Sequence, residues 1–141
     1  MENSNLRHLK EMLPRFSPFL NKNNIRVVDL TDDFSRFEID ITDDLVNEHG
    51  IINGGILFTM ADNVAAAQDI AKGRSCVTLN STINFIRPAT GNTIAAESKT
   101  IFTGRTTGVY EVSVIDEDGT VCAKASFTMF FVENRPVEKH R

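Results

Sequence analysis

The chain has 141 residues, enough for one domain with a substantial core and too few for two of ordinary size. Hydrophobic residues make up 41% and charged residues 24%, as in an ordinary globular protein, and a net charge of −4 offers no basis for nucleic-acid binding. Two cysteines cannot form a disulfide framework of the secreted type, and three scattered histidines have no metal-ligand spacing, so no metal is expected.

The predicted elements follow in chain order. Leu6, Leu9, Lys10 and Leu13 fit a short amphipathic helix stopped by Pro14 and Pro18, and residues 21–24 form a polar turn. Residues 25–30 and 34–41 read as two strands joined at Thr31, Asp32 and Asp33. Phe37, Ile39 and Ile41 alternate with Arg36, Glu38 and Asp40, the pattern of a half-solvated strand. Residues 42–52 form a loop. A helix runs over 54–71, with Lys72 and Gly73 as its stop. Four strands follow, over residues 76–86, 93–102, 107–115 and 120–132. In the first, Val77, Leu79, Ile83 and Phe85 are expected on one face and Thr78, Asn80, Thr82 and Asn84 on the other. Gly91-Asn92, Gly104-Arg105 and the acidic Asp116-Glu117-Asp118-Gly119 mark the turns between them. Cys76 and Cys122 fall inside strand-like runs and read as small buried hydrophobes. Residues 133–141 are polar and form a tail.

One long apolar helix and about six antiparallel strands pack best with the sheet wrapped around the helix, an α+β arrangement. The organisation expected is an N-terminal helix and linker over 1–24, one domain over 25–132 and a tail over 133–141. No charged-then-apolar leader opens the chain and no apolar stretch reaches spanning length. A cytoplasmic protein without a membrane partner is expected.

The helix carries the chemistry. Its first fourteen residues are apolar on nearly every face, except for Asp62. A carboxylate in such surroundings is costly unless it has a partner or a chemical role, as a general base, a nucleophile, or one half of an ion pair at an interface. Asn53 and the pair Gly54-Gly55 open the run. A helix start of this kind leaves backbone N–H groups free, and Gly54 is a candidate donor to a developing oxyanion. Asn53 reads as the N-cap. Gly54 and Asp62 are eight residues apart, about 12 Å at 1.5 Å per residue. A single carbonyl group cannot touch both within one chain, but two antiparallel helices across a two-fold axis bring one copy's Asp62 to the other's Gly54.

These residues also resemble a known family. The stretch Asn47-Glu48-His49-Gly50-Ile51-Ile52-Asn53-Gly54-Gly55, followed by Asp62 seven positions later, is similar to the hotdog-fold acyl-CoA thioesterases, in particular the phenylacetate-degradation (PaaI-like) branch. Asn47, Gly50, Gly54, Gly55 and Asp62 fall on the family pattern. Phe85-Ile86-Arg87-Pro88-Ala89, Gly104-Arg105-Thr106 and Val109-Tyr110-Glu111-Val112 add to the likeness, which covers roughly residues 25–132.

The resemblance implies a hotdog fold and hydrolysis of an acyl-CoA thioester at a site shared across a homodimer, alone or within a tetramer. It implies that Asp62 activates water or attacks the thioester, that Gly54 polarises its carbonyl, and that Asn47 and Thr78 position water or substrate. Coenzyme A enters as part of the substrate, so no separate cofactor is expected. Its phosphates call for cations, and Arg87 and Arg105 are the candidates. One position departs: the family's histidine is Asn53 here. Asparagine keeps hydrogen-bonding capacity but does not titrate near neutral pH. Two other functions follow as alternatives, an acyl-CoA binding module without turnover and an acyl-thioester dehydratase or hydratase. His49, four residues upstream, is the nearest histidine and reads as a solvated loop residue.

Overall fold

The computed structural model describes residues 17–133 together with Arg7 and His8. The helix expected over Leu6, Leu9, Lys10 and Leu13 and the basic tail residues Arg135, Lys139, His140 and Arg141 lie outside the described residues. Pro18 starts a helix rather than stopping one: it is the first residue of the one-turn helix α1, Pro18–Lys22, where proline's missing N–H costs nothing. Ser17 caps it by accepting from the Leu20 N–H at 3.3 Å. The polar turn therefore narrows to Asn23 and Asn24, the latter in the left-handed region at φ 57°.

Six strands follow the expected order: β1 Ile25–Leu30, β2 Phe34–Asp40, β3 Ser75–Phe85, β4 Thr93–Thr103, β5 Thr107–Asp116 and β6 Val121–Val132. The long helix α2, Gly54–Ala71, lies between β2 and β3 in sequence. All strand pairs are antiparallel, in the spatial order β1-β2-β4-β5-β6-β3. β3 is therefore an edge strand, although it follows the helix directly. The expected 42–52 loop contains a 3₁₀ turn, Asp43–Leu45, and a bridge between Val46 and Ile52.

The sheet curls around α2. Leu57, Met60, Ala61, Val64 and Ala65 are buried against Ile39, Ile94, Val112, Val114, Phe127 and Met129 from four strands. The alanines allow the helix close to the sheet, and Phe58 tilts against Phe127 with ring centroids 5.6 Å apart. Lys72 and Gly73 end the helix, Gly73 at φ 75°, where a side chain would be strained.

The alternation expected in β3 fails in its first half. A bulge between Thr78 and Asn80 adds one residue, Leu79, against β6. Thr78 pairs with Met129 and Ile83 with Ala125, both inward-facing partners, so Thr78 shares a face with Ile83 and Phe85. Val77 and Leu79 point outward instead, with Leu79 62% exposed. One inserted residue reverses the parity of everything beyond it. A second bulge, at Ile101 in β4, turns another large aliphatic outward.

Candidate active site

Hydrogen bonds at the start of α2 single out one backbone group. Asn53 has extended geometry, φ −60° and ψ 129°, and its side-chain oxygen accepts from the Gly55 N–H at 2.8 Å. Its carbonyl accepts from the Ile56 N–H at 3.0 Å. Between these two satisfied donors, the Gly54 N–H has no acceptor among the described residues. The capping role expected of Asn53 is thus present, and it isolates one N–H. Gly54 also lies under the Phe85 ring, which an added Cβ would meet at 3.3 Å.

Asp62 sits two turns further along. The Thr78 hydroxyl donates to Asp62 Oδ1 at 2.5 Å, and the same hydroxyl lies 3.4 Å from the Met129 sulfur. Asp62 is half-buried, not buried as the apolar run suggested, because its side of α2 faces the edge strand. The helix is continuous from Gly54 to Asp62, so the separation of about 12 Å holds. One chain brings Asp62 to Thr78 and leaves Gly54 at a distance from both.

Asn47 serves its own loop. Its side-chain oxygen accepts from the backbone N–H groups of His49 at 2.9 Å and Ile51 at 3.1 Å, closing the loop before the helix. Only its amide NH₂ remains for a ligand. His49 is exposed, with Glu48 at 3.6 Å, and faces solvent.

Arg87 and Arg105 do not come together within one chain. Arg87 follows β3 at the end where Phe85 pairs with Ala123; Arg105 is in the β4–β5 hairpin, beside the end where Thr107 pairs with Phe130. Seven residues of β6 separate those ends, about 23 Å of strand.

A second acidic group lies seven residues past Asp62, on the same side of α2, and sequence reasoning missed it. Asp69 is fully buried and accepts from the Tyr110 hydroxyl. Its other oxygen, Oδ2, is buried without a hydrogen-bond partner among the described residues. Burial and the Asp69 carboxylate hold Tyr110 well above the ordinary phenol range, so it stays a donor. Cys76, on β3 next to this pair, is pushed up to about 12 by burial, then by Asp69 and Asp62. Its thiol is not a nucleophile at neutral pH. No group of three or more potential metal ligands occurs among the described residues.

The profile of one family matches residues 49–123, more than half of the chain, and is described as the thioesterase superfamily. The chain belongs to the thioesterase superfamily. Its fold is the α+β hotdog fold, as the resemblance implied. The Escherichia coli PaaI protein superposes with a TM-score of 0.85 over 92% of this chain and 95% of that one, at 21% identity. The E. coli acyl-coenzyme A thioesterase PaaI is 29% identical over 94 residues, 66% of this chain and 67% of that protein. A Streptococcus mutans protein, solved bound to acetyl-CoA, is 30% identical with a TM-score of 0.74, over 80% of this chain and 92% of that one. A hypothetical thioesterase protein of Streptococcus pneumoniae, solved with coenzyme A, is 26% identical with a TM-score of 0.80, over 88% of this chain and 99% of that one. The superfamily match spans the loop, α2, β3, β4 and β5, and so takes in Gly54, Asp62 and Thr78. Among the described residues of this superfamily member, no helix is long and apolar enough to cross a membrane.

Proposed function

We propose that the chain hydrolyses an acyl-CoA thioester to a free acid and coenzyme A, at a site that two copies share. The observation that carries this reading is the isolated Gly54 N–H, eight residues from a carboxylate held by Thr78. Asp62 takes a proton from water as the water oxygen bonds to the thioester carbon. The partner's Gly54 N–H holds the oxyanion. Collapse of the intermediate breaks the C–S bond, and the thiolate leaves with the proton held by Asp62. Thr78 aims the carboxylate, the Asn47 amide NH₂ is assigned to water or substrate, and the Asn53 cap is taken up by the Gly55 N–H, leaving that of Gly54.

The free edge of β3 supports the shared site. Among the described strands none pairs with its outer edge, and Val77, Leu79 and Phe85 are exposed there. Antiparallel pairing of two β3 strands sets the Phe85 end of one copy, with its Gly54, against the Thr78 end of the other. The same pairing carries the partner's Arg87 towards Arg105, where coenzyme A phosphates need cations. A cytoplasmic homo-oligomer, dimeric or tetrameric, is part of this reading. The E. coli relative's name and the coenzyme A ligands of the streptococcal proteins agree with the substrate class. The S. pneumoniae protein has also been solved with an aspartate and, separately, a threonine replaced by alanine, at the sequence separation of Asp62 and Thr78.

The test is thiol release from a panel of acyl-CoAs by wild type and Asp62→Ala. Turnover in the wild type that Asp62→Ala loses supports the reading; equal turnover refutes it. One observation favours a second reading, an acyl-CoA binder without turnover: Asn53 stands where the family has histidine, and its oxygen is occupied by Gly55. Saturable binding of an acyl-CoA with no thiol release would establish that reading. A dehydratase or hydratase has less support, since α2 holds no histidine and His49 faces solvent.

A further inference from the structure

Apolar contacts hold α2 in the sheet, but they are poorly directional, and Ala61, Ala65 and Ala67 offer little to resist rotation. Among the described residues, directional bonds from sheet side chains to the helix include four. Thr78 meets Asp62, Ser35 donates to the Val64 carbonyl at 2.5 Å, Gln68 joins Ser98 and Thr100 at 2.7 and 3.0 Å, and Tyr110 donates to Asp69. The Asp69 bond stands apart. Seven residues are two turns to within about 20°, so Asp69 shares the azimuth of Asp62, whereas Val64 and Gln68 do not.

We propose that Tyr110 and Asp69 are positioning residues: their buried hydrogen bond fixes the rotation of α2 and so holds the Asp62 carboxylate at Thr78. This rests on the hydrolytic reading above. A rotation of about 10° carries an atom roughly 6 Å from the helix axis through about 1 Å, enough to break a short hydrogen bond. The sheet closes the loop. Tyr110 on β5 pairs with Phe127 on β6, and Met129, two residues on, pairs with Thr78 on β3. The anchor and the receiver of Asp62 are thus both referenced to β6.

Gly108 makes the anchor possible. A Cβ at that position would sit 2.6 Å from the Tyr110 hydroxyl and 3.0 Å from Cζ, so any side chain there displaces the hydroxyl from Asp69. A stability anchor alone would not need a carboxylate with one buried oxygen unsatisfied; a neutral amide or an apolar pair costs less.

The experiment measures kcat and KM for Tyr110→Phe, Thr78→Val and the double variant, with thermal melts to establish folding. Tyr110→Phe is expected to lower kcat about 10- to 100-fold with KM little changed, the cost of misplacing a reacting group by an ångström. The double variant should be no worse than the poorer single one, because both act through Asp62. Asp69→Asn, which keeps an acceptor for the hydroxyl, should lose less than Asp69→Leu. Wild-type kcat in Tyr110→Phe, or losses that multiply in the double variant, overturns the proposal. Gly108→Ala carries the same test if Tyr110→Phe does not fold, since both partners remain and only the hydroxyl moves. The ¹³Cγ resonance of Asp62 gives a readout independent of turnover. It should move in Tyr110→Phe as it does in Thr78→Val, and an unmoved resonance overturns the positioning role. A wild type without turnover refutes the hydrolytic reading instead, while the resonance still decides the anchor.

Discussion

Replacing Gly54 with proline removes one N–H and little else. Proline is favoured at the first helical position, and it requires the preceding residue to be extended. Asn53 already is, at ψ 129°. The Gly54 N–H has no acceptor among the described residues, so folding loses no hydrogen bond with it. The added Cβ meets Phe85 at 3.3 Å, but that ring is 53% exposed and can yield. Chain stiffening offsets the contact by roughly 0.4–1 kcal/mol, so the melting temperature should move by only a few degrees. If Gly54 holds the oxyanion, Gly54→Pro lowers kcat about 100- to 1,000-fold, or about 2.7–4 kcal/mol of barrier. Gly54→Ala keeps the N–H, makes the same Phe85 contact and retains most activity. Mixing gives a sharper assay. Inactive Gly54→Pro and inactive Asp62→Ala, unfolded and refolded together, form mixed dimers with one intact shared site. Random pairing predicts recovery of about a quarter of wild-type activity in a two-fold assembly. No recovery in mixed dimers confirmed by mass spectrometry refutes the shared site, and full activity in Gly54→Pro refutes the donor.

The other predictions follow from the same contacts. Asp62→Ala should lose about 100- to 10,000-fold in kcat and leave the melt intact, since Asp62 is half-exposed; near-normal turnover would remove it from the chemistry. Thr78→Val deletes a charge-assisted bond of about 1.5–3 kcal/mol and should cost about 10- to 100-fold in kcat, read by steady-state kinetics. Asn53→His should preserve or raise kcat/KM, whereas a loss of about tenfold or more, roughly 1.4 kcal/mol of barrier, would assign Asn53 a specific role. Raising a thiol from 9.0 to about 12 leaves less thiolate at every pH below it. Cys76 should therefore alkylate at pH 8 on the order of 1,000-fold more slowly than a free cysteine and speed up as pH rises. Mass spectrometry after timed iodoacetamide treatment measures this, and fast labelling at pH 8 would contradict it.

What the sequence disclosed divides along local and non-local lines. The bounds of α2 were legible because Asn53, the glycine pair and Gly73 are local signals, and the structure places the helix over the same residues. The Asn47 turn is equally local, an Asx side chain closing onto its own next residues. The first half of β3 was misread because an outward Leu79 looks like a member of an inward apolar row until its pairing with β6 is known. Arg87 at a strand end and Arg105 in a hairpin turn were each legible as candidate cations, but their separation was not, because antiparallel order puts them at opposite ends of the sheet. Asp69 could have been found, since it repeats Asp62 at two helical turns. Its meaning could not, because Tyr110 is 41 residues away across the fold.

The placement of polar bonds along α2 bears on how such a site persists. The half from Val64 onward is tied to the sheet through Ser35, Gln68 and Asp69, all buried where a missing partner is costly. Among the described residues, the half from Gly54 to Asp62 has no such ties beyond the Asn53 cap and the Thr78 bond. That half must keep an N–H unpaired, a carboxylate half-open and a glycine in place of a better helix former, each a local departure from stability. In the proposed shared site, a helix anchored at both ends would fill the face that a substrate and a second copy need. Anchoring one end rigidly lets the other carry its departures without losing its geometry.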